Sequence, residues 1–120
     1  MIKRRTVSPK KHLGQHFLDD EATALRIAQC VKCTGDQAYI EVGPGTGALT
    51  THLIKRFGTR LLALDVDQES IDHLRNEDWI ASEQILNADI LKVPLDQLTS
   101  NEEVVIVGNF PYNISSQILF

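Results

Sequence analysis

Four short apolar runs, AYIEVG at 38–43, RLLALDVD at 60–67, EQILNADI at 83–90 and EEVVIVGN at 102–109, alternate with stretches of helical periodicity. Each run is too short for a helix and too continuous for a strand with one wet face. Between them, TGALTTHLIKRFG at 46–58 spaces Leu49, Leu53 and Phe57 four apart and stops at Gly58, as a helix with a glycine cap does. QESIDHLR after the second run reads as a further helix, and PLDQL as a turn or short helix. Upstream, DDEATALRIAQCV at 19–31 has acids in its first turn and Leu25, Ala28 and Val31 on one face. Strands of this kind alternating with amphipathic helices form an α/β fold with an open parallel sheet, buried on both faces.

Right-handed crossovers put the C-terminal tip of every strand on one edge, where such sheets bind ligands. The tips are Glu41-Val42-Gly43, Asp65, Asp89 and Asn109. The first opens the loop EVGPGTG, whose Gly43, Gly45 and Gly47 let the backbone turn sharply and approach a ligand closely. Asp65, eighteen residues after Gly47, is placed to accept from a ribose diol. Together they point to a cofactor containing adenosine. A nicotinamide dinucleotide satisfies the glycine spacing, since Gly43, Gly45 and Ala48 fit G-x-G-x-x-A. Glu41 decides the preference, because a carboxylate is awkward beside a pyrophosphate and suits the ammonium end of S-adenosylmethionine. Asp89 adds an acceptor for an adenine amino group, with Val66 and Ile90 as apolar walls.

The fourth tip runs into NFPYNIS at 109–115. A turn alone needs no such combination. Asn109 and the Phe110–Pro111 peptide offer two carbonyl oxygens that can hold the two hydrogens of an exocyclic amine, and Tyr112 or Phe110 offers a face for stacking. Held that way, the N6 lone pair of an adenine is turned out of conjugation and toward a methyl donor. Catalysis is then orientation and electrostatics, on a base taken out of its stack.

Charge is distributed unevenly. The overall charge is −4, but five of the twelve Lys and Arg residues and none of the sixteen acids fall within residues 1–18, so a basic N-terminal arm precedes an acidic body. A basic arm suits phosphates, although a solvated terminus explains it equally. No apolar run approaches a membrane span, and a cytoplasmic protein is expected. Cys30 and Cys33 form a lone CVKC without a second ligand pair, so no metal site is expected. His12, His52 and His73 read as solvated residues and Trp79 as a packing residue.

KKHLGQHFL at 10–18, EVGPGTGALT at 41–50, LDVD at 64–67, NADIL at 87–91 and GNFPYNISSQILF at 108–120 resemble the ribosomal-RNA adenine N6,N6-dimethyltransferases, the kasugamycin-sensitivity (KsgA) family. The resemblance implies a Rossmann-like S-adenosylmethionine-dependent methyltransferase. It also implies transfer of methyl groups to two adjacent adenosines near the 3′ end of small-subunit rRNA, within the forming small ribosomal subunit. It places cofactor contacts at His16, Leu18, Gly43, Asp65, Asp89 and Asn109 and the catalytic motif at Asn109, Phe110, Pro111 and Tyr112. His16 stands where many members have Asn, Asp65 where many have Glu, and Phe110 where many have Leu. A large-subunit macrolide-resistance methyltransferase and a non-catalytic nucleic-acid-binding assembly or transcription factor are the alternatives, and the intact motif at 109–112 argues against the second.

Family members continue beyond the point where this sequence stops. Residues 19–120 are therefore expected to form the N-terminal portion of the methyltransferase domain, with only part of its sheet. A last strand without its outer neighbour leaves an open edge, so self-association, weak cofactor binding and poor turnover are expected of the isolated chain.

Overall fold

The computed structural model describes residues 2–6, 21–32, 37–100 and 103–111, with side chains described outside 2–6 and 109–111. Among the described residues five strands and four α-helices succeed one another: β1 (Ile2–Thr6), α1 (Glu21–Cys30), β2 (Ala38–Val42), α2 (Ala48–Phe57), β3 (Leu61–Asp65), α3 (Gln68–Arg75), β4 (Ile85–Asn87), α4 (Leu95–Leu98) and β5 (Val104–Pro111). All strand pairs are parallel, in the order β1-β5-β2-β3-β4.

The helices form where the apolar spacing placed them. Leu49, Leu53 and Phe57 of α2 are buried, and Gly58 closes the helix at φ 57° with its N–H on the Ile54 carbonyl. Asp67 caps α3, accepting from the Glu69 N–H at 3.2 Å. In α1 the inward residues are Ala24 and Ala28, followed by Val31, while Leu25 is 40% exposed. Two alanines one turn apart let α1 approach α2 closely, and the Arg56 guanidinium of α2 then donates to the carbonyls of Ala28 and Val31. That pairing satisfies chain-end carbonyls which a helix C-terminus leaves unbonded.

Register explains how the helices lie. Side-by-side residues of parallel strands share a face, so Tyr39 with Leu61, Ala63 with Ile85, and Glu41 with Val107 belong to one side of the sheet. Tyr39, Leu61 and Val107 pack with Leu49, Leu53 and Phe57 of α2 and Ala28 of α1. Ala63 and Ile85 pack with Ile71 and Leu74 of α3. The Tyr39 and Phe57 rings stack at 3.7 Å, worth about 1 kcal/mol beyond their area. On the opposite face Ile40 and Leu64 are buried and Val42, Leu62 and Ile106 half-buried.

Three elements depart from the sequence reading. β4 is three residues long, because Ser82–Gln84 is a 3-10 turn that directs Gln84 inward. Its side-chain amide donates to the Gly58 and Leu61 carbonyls at 2.9 and 2.8 Å, so a buried polar group is fully used. β5 runs two residues further than expected, to Pro111. The basic arm, finally, is not wholly an arm: Ile2–Thr6 pairs with 107–111 of β5, Arg4 opposite Asn109 and Thr6 opposite Pro111. The outer edge of β5, expected to be open, is therefore occupied. A strand reading IKRRT has no apolar alternation to announce it, since its pairing is made by backbone groups, and charged residues are common on sheet edges.

β2, β3 and β4 follow one another in one direction across the sheet, and β5 then returns to the far side of β2. Strand order thus reverses between β2 and β5. In open α/β sheets that reversal marks the ligand crevice.

Candidate functional site

At the reversal, β2 ends in the glycine loop. Gly43 extends the β2–β3 ladder by donating to the Leu64 carbonyl at 2.8 Å, and the chain then turns through Gly43, Gly45 and Gly47 at φ 70°, 58° and 91°. Only glycine takes such angles without strain. Gly47 donates to Pro44 O at 2.9 Å and its own carbonyl receives Thr51 N–H at 3.0 Å, so the turn passes directly into α2.

The glycines differ in what surrounds them. A Cβ on Gly47 would meet Leu74 Cδ2 at 3.1 Å and Trp79 Cη2 at 3.3 Å, whereas one on Gly45 would meet nothing within 4 Å. Gly47 is thus demanded by packing as well as by φ. Gly45 faces open space, where a ligand can approach the backbone. Trp79 is the packing residue expected, half-buried behind the loop with its indole N–H on Glu77 Oε2 at 3.2 Å.

Beneath the loop lies Glu41, 1% exposed. Its Oε1 accepts a hydrogen bond from the Thr50 hydroxyl at 2.5 Å, and its Oε2 has no hydrogen-bond partner among the described residues. Burial pushes this carboxyl up to about 8; the Thr50 hydrogen bond opposes the shift and the negative charge of Asp65 adds to it.

Asp65 ends β3, its Oδ1 receiving the Asp67 N–H at 3.0 Å, and the next residue, Val66, is 66% exposed. Past β4, Ala88 N–H returns to the Asp65 carbonyl at 3.0 Å. Asp89 follows, closing a turn in which its Oδ1 accepts from Leu91 N–H and its carbonyl from Lys92 and Val93, each at 2.9 Å. Ile90 is half-buried in that turn.

On the other flank of β2, Gly108 is opposite Val42, and a Cβ there would come within 2.4 Å of the Val42 carbonyl oxygen. The glycine therefore lets β5 press against β2. Asn109, one residue on, stands at the rim beside Gly43. Adjacent strands lie about 4.8 Å apart, so Asn109, Gly43, Asp65 and the Asp89 turn share one edge about 14 Å long. The backbone of Phe110 and Pro111 continues in β5 along Arg5 and Thr6. His16, Leu18 and Tyr112 lie outside the described residues.

Thr50, Gly108 and Leu74 were absent from the sequence reading, which had Trp79 as a packing residue without its place behind the loop. Thr50 left a trace, a hydroxyl on the helix face shared by Leu53 and Phe57. His52 departs from the reading as well: its Nε2 is 2.8 Å from Glu21 Oε1, and its side chain is 11% exposed, so it ties α1 to α2.

A glycine loop at the reversal of a parallel sheet, with an acid ending the next strand, defines a Rossmann-like fold with that loop at the crevice where such sheets bind ligands. The model of the ribosomal RNA adenine dimethylase family matches residues 7–120, and the chain belongs to that family. Ribosomal RNA small subunit methyltransferase A of Flavobacterium johnsoniae is 44% identical over 115 residues, which are 95% of this chain and 43% of that protein. The protein of the same name from Bacteroides fragilis is 44% identical over 117 residues, 97% of this chain and 42% of its own length. This chain thus spans under half the length of these relatives. Among solved structures, the crystal structure of 23S rRNA methyltransferase ErmE superposes with a TM-score of 0.61 at 30% identity, over 86% of this chain and 41% of that one.

Proposed function

We propose that this chain is the cofactor-binding part, with the catalytic strand, of an S-adenosylmethionine-dependent enzyme that dimethylates adenosine N6 in small-subunit rRNA. The observation that carries the reading is the meeting of Gly43, Asp65, the Asp89 turn and Asn109 along one rim at the strand reversal. The residues fit the cofactor: open space at Gly45 admits a close backbone approach, and the unpartnered Glu41 Oε2 suits a ligand with a cationic end. Asp65 would hold the ribose hydroxyls, Asp89 the adenine amine, and Val66 and Ile90 the faces of the ring. The resemblance adds His16 and Leu18 as further cofactor contacts.

S-adenosylmethionine supplies an electrophilic methyl group when bound. The protein's own task is to present the nucleophile. Asn109 and the Phe110–Pro111 peptide accept the two N6 hydrogens of a target adenine stacked on Tyr112 or Phe110, and their pull leaves the nitrogen lone pair directed at the methyl carbon. No covalent enzyme intermediate is needed. After transfer the nitrogen returns its extra proton to solvent.

Of the two rRNA targets, the small subunit is favoured, because the relatives bearing that name are 44% identical and the 23S enzyme 30%. The substrate is then a forming small subunit in the cytoplasm, with the basic residues before Leu18 on its phosphates. No described helix is long and apolar enough to cross a membrane. The test is transfer of labelled methyl groups from S-adenosylmethionine to small-subunit RNA by the whole protein and its Asn109→Ala variant. A loss on the order of 100-fold in rate is expected. Equal rates would remove Asn109 from the chemistry.

A further inference from the structure

We propose that Glu41, sealed beneath the glycine loop with one carboxyl oxygen unpartnered, ionises when the cationic amino-acid end of S-adenosylmethionine arrives, so that the site takes in a cation and gives out a proton. The inference rests on the cofactor reading above and adds a charge exchange to it. Its basis is the setting of the side chain. Register flanks Glu41 with Ala63 on β3 and Val107 on β5, both buried and apolar. α2 contributes the Thr50 hydroxyl, which has one hydrogen to give and serves Oε1.

Among the described residues, the charged groups nearby do not help Glu41 to hold a negative charge. Asp65, at the tip of β3, repels it. On α2, Arg56 is committed to the Ala28 and Val31 carbonyls and His52 to Glu21, while Lys55 is exposed in the last turn. A buried carboxylate without a counter-charge is costly, and the group avoids that cost by keeping its proton. An ammonium or sulfonium group at the loop reverses the balance. The O–H bond of Glu41 then breaks, its proton leaves to the buffer, and the carboxylate stays as the counter-ion of the ligand.

The measurement is calorimetric titration of the protein at pH 7 in buffers of different ionisation enthalpy, whose slope counts protons exchanged on binding. The probes are S-adenosylmethionine, S-adenosylhomocysteine and methylthioadenosine, the last lacking the amino-acid end. With the carboxyl at about 8, roughly 0.9 of a proton is available at pH 7. Wild type should release more than Glu41→Gln by nearly that amount with the first two probes, and methylthioadenosine should give no difference. Since the variant retains the ligand's own titration, the difference isolates Glu41. Binding with the same slope in both proteins overturns the exchange and leaves the cofactor reading standing, as does equal release with methylthioadenosine. Failure of all three probes to bind wild type overturns the cofactor reading and the exchange with it. If Glu41→Gln does not fold, the contrast between S-adenosylhomocysteine and methylthioadenosine in wild type decides alone.

Discussion

Glu41→Gln should change how stability depends on pH. Folding moves the Glu41 carboxyl from 4.5 up to about 8, so between those values the folded chain binds a proton that the unfolded chain has released. Stability from this group is therefore complete below about pH 4.5 and is lost as pH rises through about 8. A shift of that size corresponds to about 5 kcal/mol, a large share of the 5–15 kcal/mol that holds a typical domain together. Glutamine has the same shape, can still accept from Thr50 through its amide oxygen, and never ionises. It buries an amide N–H₂ with no assigned acceptor, at about 1–3 kcal/mol. At pH 5 wild type should be the more stable of the two; by pH 9 the order should reverse. Urea unfolding followed by the fluorescence of Trp79, the single tryptophan, measures both curves. Other titrating groups act on both proteins, so the difference belongs to residue 41. A difference that stays constant within about 1 kcal/mol from pH 5 to pH 9 would refute the claim that this carboxyl is buried without a counter-charge.

Three glycines give a graded test of the loop and its strand. Gly47→Ala combines a left-handed φ with contacts at 3.1 and 3.3 Å and should cost about 2–3 kcal/mol in urea melts. Gly45→Ala carries only the backbone strain, about 1 kcal/mol, but should weaken S-adenosylmethionine binding by more than its stability loss accounts for, as equilibrium dialysis would show. Gly108→Ala forces a carbon against a neighbouring backbone carbonyl and should be the most damaging of the three, with loss of soluble folded protein on expression. An unchanged melting midpoint for Gly108→Ala would mean that β5 is not pressed against β2.

The apolar runs were enough to place β2, β3 and β5, because a strand buried in a parallel sheet must be apolar at consecutive positions. The glycine loop was equally legible, since turns that need positive φ restrict the residue type. What escaped is what spacing does not encode. β1 is built from backbone pairing by a charged segment, so nothing in IKRRT marks it as a strand. Leu25 and Ala24 exchange roles because the close approach of α1 to α2 favours the smaller side chain, a matter of tertiary packing. β4 is cut short by the inward turn of Gln84, whose two acceptors come from residues 23 and 26 positions away in sequence. For the candidate site, the sequence placed Glu41 and Asp65 at the ends of β2 and β3, where they lie, whereas Asp89 falls in the turn two residues past β4 and Asn109 two residues before the end of β5. The environment of Glu41 was not legible, because it depends on Thr50 of α2 and on apolar neighbours contributed by β3 and β5.

The central claim is that the ends of β2, β3, β4 and β5 act together as one nucleoside site. Amide chemical-shift mapping during titration with S-adenosylmethionine examines it residue by residue. The expected result is a set of saturable changes confined to Gly43, Gly45, Asp65, Val66, Asp89, Ile90 and Asn109, with the opposite sheet edge at Ala38, Leu61 and Val104 unmoved. Changes centred on that opposite edge, or spread over the outer faces of α1 and α3 with the glycine loop silent, would contradict it.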